Sequence, residues 1–124
     1  MGWPVAPQAM EWGPRLAWER YGLPIVISEN GISCHDAPGP DGQVHDGERI
    51  DFLTLYLRAL HRAIQAGADV RGYFHWSLTD NFEWAEGYAQ RFGLAYVDYA
   101  TGDRLLKESG TWYAATARRN GVPG

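Results

Sequence analysis

Two short apolar segments, Ile25-Val26-Ile27 and Val70 to Ser77, constrain the fold of this 124-residue chain most strongly. Both are rich in β-branched or aromatic residues and both stop abruptly at polar residues, as buried strands do. More than twenty residues separate them, and within that stretch Ile50, Leu53, Leu57, Leu60 and Ile64 recur at helical spacing before Gly67. Strands joined by so long a crossover are parallel, and such a connection is right-handed by default. The result is a βαβ unit. Two parallel strands need cover on both faces and both edges, so the pattern predicts a piece of a larger α/β structure or a chain that assembles.

The flanks add detail. Met1 to Met10, with Pro4 and Pro7, reads as an extended lead-in, and Pro14 opens a helix that runs to Tyr21 and ends at Gly22. Ser33 to Gly47 is rich in Pro, Gly, Asp and His and is expected to be loop, with Asp46 placed to cap the crossover helix. A second loop covers Leu78 to Arg91. Leu94 to Tyr99 reads as a third, shorter strand turning at Thr101-Gly102, and a last helix is expected over Ser109 to Asn120, weakened by Gly110 and closed by Gly121.

Several function classes drop out. The apolar runs fall far short of a membrane span. The net charge is -4 and Lys107 is the only lysine, so no basic stripe for nucleic acid is visible. One cysteine, Cys34, excludes an internal disulfide. Cys34 and His35 are neighbours whose side chains point apart, with no third group placed to make a thiol nucleophile. Asp36, Asp41 and Asp46 do not match a calcium-binding loop and are expected in a solvated one. Neither a metal nor a cofactor is expected.

In barrels and open α/β sheets, ligands bind outside the carboxyl ends of the strands. Two polar clusters fall there: Ser28-Glu29-Asn30-Gly31 after the first strand, and Trp76 to Trp84 after the second. The plain alternative is a structural ion pair for Glu29 and, for the second cluster, a loop in which Asp80 and Asn81 make turns while aromatics pack. The chemistry of the pair favours a ligand. Six Trp and seven Tyr are many for this length, and several stand beside acidic residues. Carboxylates and amides grip hydroxyls while indole rings cover sugar faces. Retaining glycoside hydrolysis uses two carboxyl groups about 5–5.5 Å apart, one as nucleophile and one as acid/base.

At these residues the chain resembles a known family. Leu23-Pro24-Ile25-Val26-Ile27-Ser28-Glu29-Asn30-Gly31 is similar to the I/V-T-E-N-G signature of glycoside hydrolase family 1, the β-glucosidase family, with Ser28 in place of the usual Thr. Gly72 to Trp84 resembles its second long signature. Gly87-Tyr88, Arg91 to Leu94, Tyr96 to Tyr99 and Lys107-Glu108-Ser109 continue it in register, and Met1 to Val5 is similar to the stretch before the seventh barrel strand. Tyr56 stands where many members have His.

The resemblance implies an α/β fold that is a partial TIM (β/α)8 barrel, its seventh and eighth βα units only, with residues 1–124 forming one incomplete domain. It implies Glu29 as the nucleophile and Asn30 as a residue shaping the site. Trp76 would be a platform under the sugar. Glu83 would accept from O4 and O6, Trp84 would donate its indole N–H to O3, and Phe92 would line the O6 side. Donor and acceptor chemistry agrees with each role. The substrate implied is a β-glucoside or β-galactoside.

The acid/base Glu of the family lies in an Asn-Glu-Pro motif, and no Asn-Glu-Pro occurs here. The chain alone is therefore expected to be inactive, since acid/base assistance is worth roughly 10²–10⁴-fold. Three readings stand: a portion of a hydrolase completed by an upstream barrel portion, a non-catalytic sugar-binding module, or a piece that self-assembles with further copies. No secretory pattern opens the sequence, which favours the cytoplasm, although Met1 matches a Met inside the family motif and need not be an initiator.

Overall fold

The computed structural model describes residues 2–123, so Met1 of the lead-in motif lies outside the described residues. Helix α1 (Gln8–Tyr21) is followed by strand β1 (Ile25–Asn30), helix α2 (Gly47–Gln65) and strand β2 (Val70–His75). A single 3-10 turn (Trp84–Glu86), strands β3 (Ala95–Val97) and β4 (Arg104–Leu106) and helix α3 (Glu108–Arg119) complete the order.

The predicted βαβ unit is present. β1 and β2 pair in parallel, with Ile25 opposite Val70, Ile27 opposite Tyr73 and Asn30 opposite His75, and α2 is the crossover. The two strands are not buried as the apolar runs suggested: Val26 is 54% and Phe74 61% exposed. Their side chains alternate about the sheet, and only one face is covered by the helices of this chain.

α1 starts well before Pro14, so Gln8 to Met10 are helical rather than extended. The amides of Ala9 and Met10 bond the carbonyls of Ala6 and Pro7, which begins the helix at Pro7. Pro14 then sits inside it, its ring buried, at the cost of one hydrogen bond to Met10. Gly13 precedes it, and a residue without Cβ lessens the crowding that biases pre-proline positions away from helices. The predicted end is correct: Gly22 takes the left-handed conformation and its N–H bonds the Trp18 carbonyl.

On α2 the inward stripe is rotated from the predicted one. Leu53 and Leu60 are shared, but Ile64 is exposed, and Arg49, Phe52, Tyr56 and Ala63 take the inner face. The cause is α1, which packs along α2. Tyr56 stacks on Phe52 with ring centroids 4.0 Å apart, and its hydroxyl accepts the Ala6 N–H at 2.8 Å. Phe52, Leu53, Tyr56 and Leu94 form the core, flanked by Met10, Tyr73 and Trp112.

The third strand is shorter than predicted, and its antiparallel partner β4 escaped the sequence because three residues carry no periodicity. Gly102, at φ +80, makes the turn between them. Gly110 does not merely weaken α3: a Cβ there would stand 2.5 Å from Leu106 Cδ1 and 2.7 Å from the Leu94 carbonyl, so glycine lets the helix sit directly on the hairpin. Asn120, rather than Gly121, is the left-handed residue that ends α3.

Candidate active site

β1 and β2 deliver both polar clusters to the same end of the sheet. Glu29 and Asn30 are the last residues of β1, and Trp76 follows β2 directly. The Trp76 N–H donates to the Asn30 carbonyl at 2.9 Å, extending the parallel ladder into the clusters. The Asn30 side-chain Oδ1 accepts the Tyr73 hydroxyl at 2.8 Å, which orients the amide. Glu29 is exposed, and its carboxylate makes no hydrogen bond or ion pair among the described residues. The structural ion pair weighed for it is therefore not formed here.

The loop after β2 is held by its own polar groups. Ser77 donates to the Thr79 carbonyl at 2.8 Å, and the Asn81 amide donates to Ser77 Oγ and to Thr79 O, each at 3.0 Å. Asn81 thus makes the local turn expected of it. The segment bearing Phe92 runs alongside: the Ser77 N–H donates to the Phe92 carbonyl at 3.2 Å, and the Leu94 N–H to the Ser77 carbonyl at 2.9 Å. Glu83 and Trp84 lie further out, at the 3-10 turn, where the Glu83 N–H bonds the Gly87 carbonyl at 2.7 Å. Trp84 is 80% exposed, and neither side chain bonds Glu29, Asn30 or Trp76 among the described residues. The structure thus gathers Glu29, Asn30, Trp76 and Phe92 through backbone bonds and presents Glu83 and Trp84 on an outlying turn.

Electrostatics separates the other titratable groups. Burial, above all, pushes the His75 imidazole down to about 4, with Arg49 and Lys107 adding to the effect and the Phe92 carbonyl opposing it. His75 Nε2 lies 3.1 Å from that carbonyl, so a neutral ring donates there. Burial likewise raises the Tyr73 hydroxyl. Cys34 is pushed up to about 11, chiefly by burial, which is the opposite of what a thiolate nucleophile requires.

The sequence missed a buried ionic set beneath the two clusters. Asp36 and Asp46, expected in a solvated loop, are buried; only Asp41 is exposed, bonding His45 at 2.8 Å. Asp46 stands at the start of α2 but makes no side-chain cap; it accepts the Ser109 N–H at 2.8 Å and pairs with Arg49. Asp80 does not serve a turn either. It is buried against Lys107 at 2.7 Å and Arg91 at 2.6 Å. A signal existed: Arg49 falls at helical spacing with Phe52, Leu53 and Tyr56, a charge on an apolar face that demands a buried partner. No group of three or more His, Cys, Asp or Glu among the described residues is arranged to hold a metal ion. No helix there is long and apolar enough to cross a membrane.

Comparison with known proteins gives one consistent answer. The family model for glycosyl hydrolase family 1 matches residues 1–122. Beta-glucosidase A of Thermotoga maritima is 46% identical over 123 residues, covering 98% of this chain and 28% of that protein. A bifunctional beta-D-glucosidase/beta-D-fucosidase of Bifidobacterium breve is 52% identical over 91% of this chain and 26% of its own length. The solved structure of the Thermotoga maritima family 1 β-glucosidase with isofagomine lactam superposes with a TM-score of 0.97 at 45% identity, over 99% of this chain and 28% of that one. The chain spans little more than a quarter of the relatives it matches.

Proposed function

Because the chain belongs to glycosyl hydrolase family 1, we propose that it is the portion of a retaining β-glucosidase that carries the nucleophile, Glu29. β1 and β2 are read as the seventh and eighth strands of a (β/α)8 barrel, and residues 1–124 as the C-terminal part of one domain. The observation that carries this reading is the placement of Glu29 and Trp76 at the carboxyl ends of two adjacent parallel strands, joined by the Trp76 N–H to Asn30 carbonyl bond. That end is where barrel enzymes build their sites.

In this reading a β-glucoside or β-galactoside lies over the Trp76 ring. Its hydroxyls are taken by Glu83 and Trp84, and Phe92 lines the O6 side. The Glu29 carboxylate attacks the anomeric carbon as the bond to the leaving oxygen breaks, forming a glycosyl ester. Water then cleaves the ester and frees the carboxylate. The proton for the leaving oxygen comes from a carboxylic acid elsewhere in the barrel, since this sequence holds no Asn-Glu-Pro. The exposed Val26 and Phe74 on the strands fit a partner of the same kind, an upstream barrel portion rather than solvent.

The experiment is reconstitution. Alone, the chain is expected to leave an aryl β-glucoside untouched; combined with the complementary barrel segment it is expected to hydrolyse it. Glu29→Gln should lower the reconstituted rate by about 10³-fold or more. Absence of activity in the reconstituted barrel, or full activity without Glu29, would overturn the reading.

A further inference from the structure

The proposed site leaves one set of buried groups without a role. Lys107 is the only lysine of the chain and is 0% exposed. Its ammonium donates to Asp36 Oδ2 at 2.5 Å and to Asp80 Oδ1 at 2.7 Å. Asp36 belongs to the loop that continues from Glu29 and Asn30, and Asp80 to the loop that continues from Trp76. One cation therefore joins the two loops.

The surroundings reinforce that bridge. Asp80 Oδ1 also accepts the Gly93 N–H at 2.9 Å, and its Oδ2 pairs with Arg91 at 2.6 Å. Arg49, itself 0% exposed, holds Asp36 at 2.7 Å and the Arg91 carbonyl at 2.7 Å, and pairs with Asp46. Asp36, Asp46 and Asp80 are thus matched in charge by Arg49, Arg91 and Lys107. Such a set adds little net stability over an apolar filling of equal volume, because desolvation offsets attraction. What it supplies is direction, since each charged bond has a required geometry. Asp80 lies between Trp76 and Glu83 in the chain and grips the residue after Phe92. Trp76, Glu83, Trp84 and Phe92 therefore all branch from backbone pinned at Asp80.

We infer that Lys107 is a positioning residue for the proposed glycosidase site: by clamping Asp80 to Asp36 it sets where Glu83 and Trp84 stand relative to Glu29. The inference rests on the hydrolase reading. Its consequence concerns specificity. Glu83 is the group assigned to O4 and O6, so loosening the clamp weakens recognition of the hydroxymethyl group that glucose carries and xylose lacks.

The test uses the assembled barrel and compares kcat/KM for an aryl β-glucoside with that for the matching β-xyloside. Both rates are read on one preparation, so a change in folded fraction cancels in their ratio. Lys107→Met, similar in length but uncharged, should lower the glucoside-to-xyloside ratio about tenfold. Lys107→Arg, which keeps the cation, should restore most of it. Asp36→Asn cuts the clamp from the other loop and should act like Lys107→Met, which keeps the test decisive should that variant fail to fold. An active wild type whose ratio is unmoved by Lys107→Met, or by Asp36→Asn in its place, overturns the positioning role alone. A wild type inactive on both sugars overturns the hydrolase reading and the positioning role with it.

Discussion

The backbone N–H of Trp76 donates to the carbonyl of Asn30 at 2.9 Å, one residue beyond the end of β2. Each residue sits in one of the two polar clusters, so the parallel ladder itself fixes their spacing. Strand pairing is the most rigid relation the fold has available for this purpose, since neighbouring strands lie about 4.7–4.9 Å apart. A site built on it is held closer than one built on loops alone.

That closeness leaves no room at Gly31. A Cβ there would lie 1.8 Å from the Trp76 carbonyl oxygen, so Gly31→Ala must push the two chains apart. The expected cost is at least about 1–3 kcal/mol, the usual penalty for forcing atoms into a packed region. Gly47→Ala is the control: it opens α2, and its Cβ would meet nothing within 4 Å. It should be neutral or stabilising, because alanine loses less backbone entropy than glycine. Urea unfolding of both variants checks the contrast, and equal midpoints would contradict it.

Asp46 offers a second test. It accepts from the Ser109 amide and hydroxyl at 2.8 and 2.5 Å and pairs with the buried Arg49. Asp46→Ala strands those donors and leaves Arg49 with Asp36 as its remaining carboxylate partner. A loss of about 3–5 kcal/mol is expected, as for other broken buried pairs. Asp46→Asn keeps an acceptor for Ser109 and should fall between. Chemical denaturation reads both. A loss under about 1 kcal/mol for Asp46→Ala would place the pair among solvated ones.

These buried charges also mark the limit of what the sequence discloses. The βαβ unit was legible because apolar periodicity and crossover length are local properties, and so were Gly22 and the polar ends of both strands. The partners of Lys107 were not, since Asp36 lies 71 positions away in the chain and nothing local distinguishes it from the exposed Asp41. The start of α1 was hidden because a proline normally marks a boundary, whereas Pro14 sits inside the helix. The clusters that hold Glu29, Asn30 and Trp76 were legible as a motif, because they stand at the polar ends of the two strands. The outward stance of Trp84 was not, because it depends on a turn that takes Trp84 to φ 42.

Cys34 tests the environment between these charges. Its thiol is raised from 9.0 to about 11, mainly by burial, with Asp36 adding to the effect and Arg49 opposing it. At pH 8 a disulfide reagent should therefore label it about 100-fold more slowly than an unperturbed thiol, since the thiolate is the reacting form. Labelling in 8 M urea, where the burial is gone, should recover the ordinary rate (a concentration of about this size unfolds most small domains). Fast labelling of the folded chain would show that the thiol is not shielded as described.

His75 contributes to the response to acid. Its ring is neutral in the folded chain, with a pKa near 4, whereas an unfolded histidine titrates near 6.5. The unfolded state therefore binds more protons between these values, and stability rises with pH across that window. The contribution is complete above pH 6.5, is lost as pH falls toward 4, and amounts to at most about 3 kcal/mol. His45 acts in the other direction and elsewhere. Asp41 and Glu108 raise it, so its contribution is complete below pH 6.5 and is lost only as pH climbs through its raised value. The two histidines thus separate on the pH axis. His75→Gln keeps a donor near the Phe92 carbonyl but removes the titration, and should flatten the stability profile between pH 6.5 and 4 while leaving the alkaline side unchanged. His45→Gln should do the reverse. Urea midpoints measured at half-unit steps (about 0.5 apart, fine enough for a single titration) decide it: a His75→Gln chain as steeply acid-sensitive as the wild type would assign the slope to other groups.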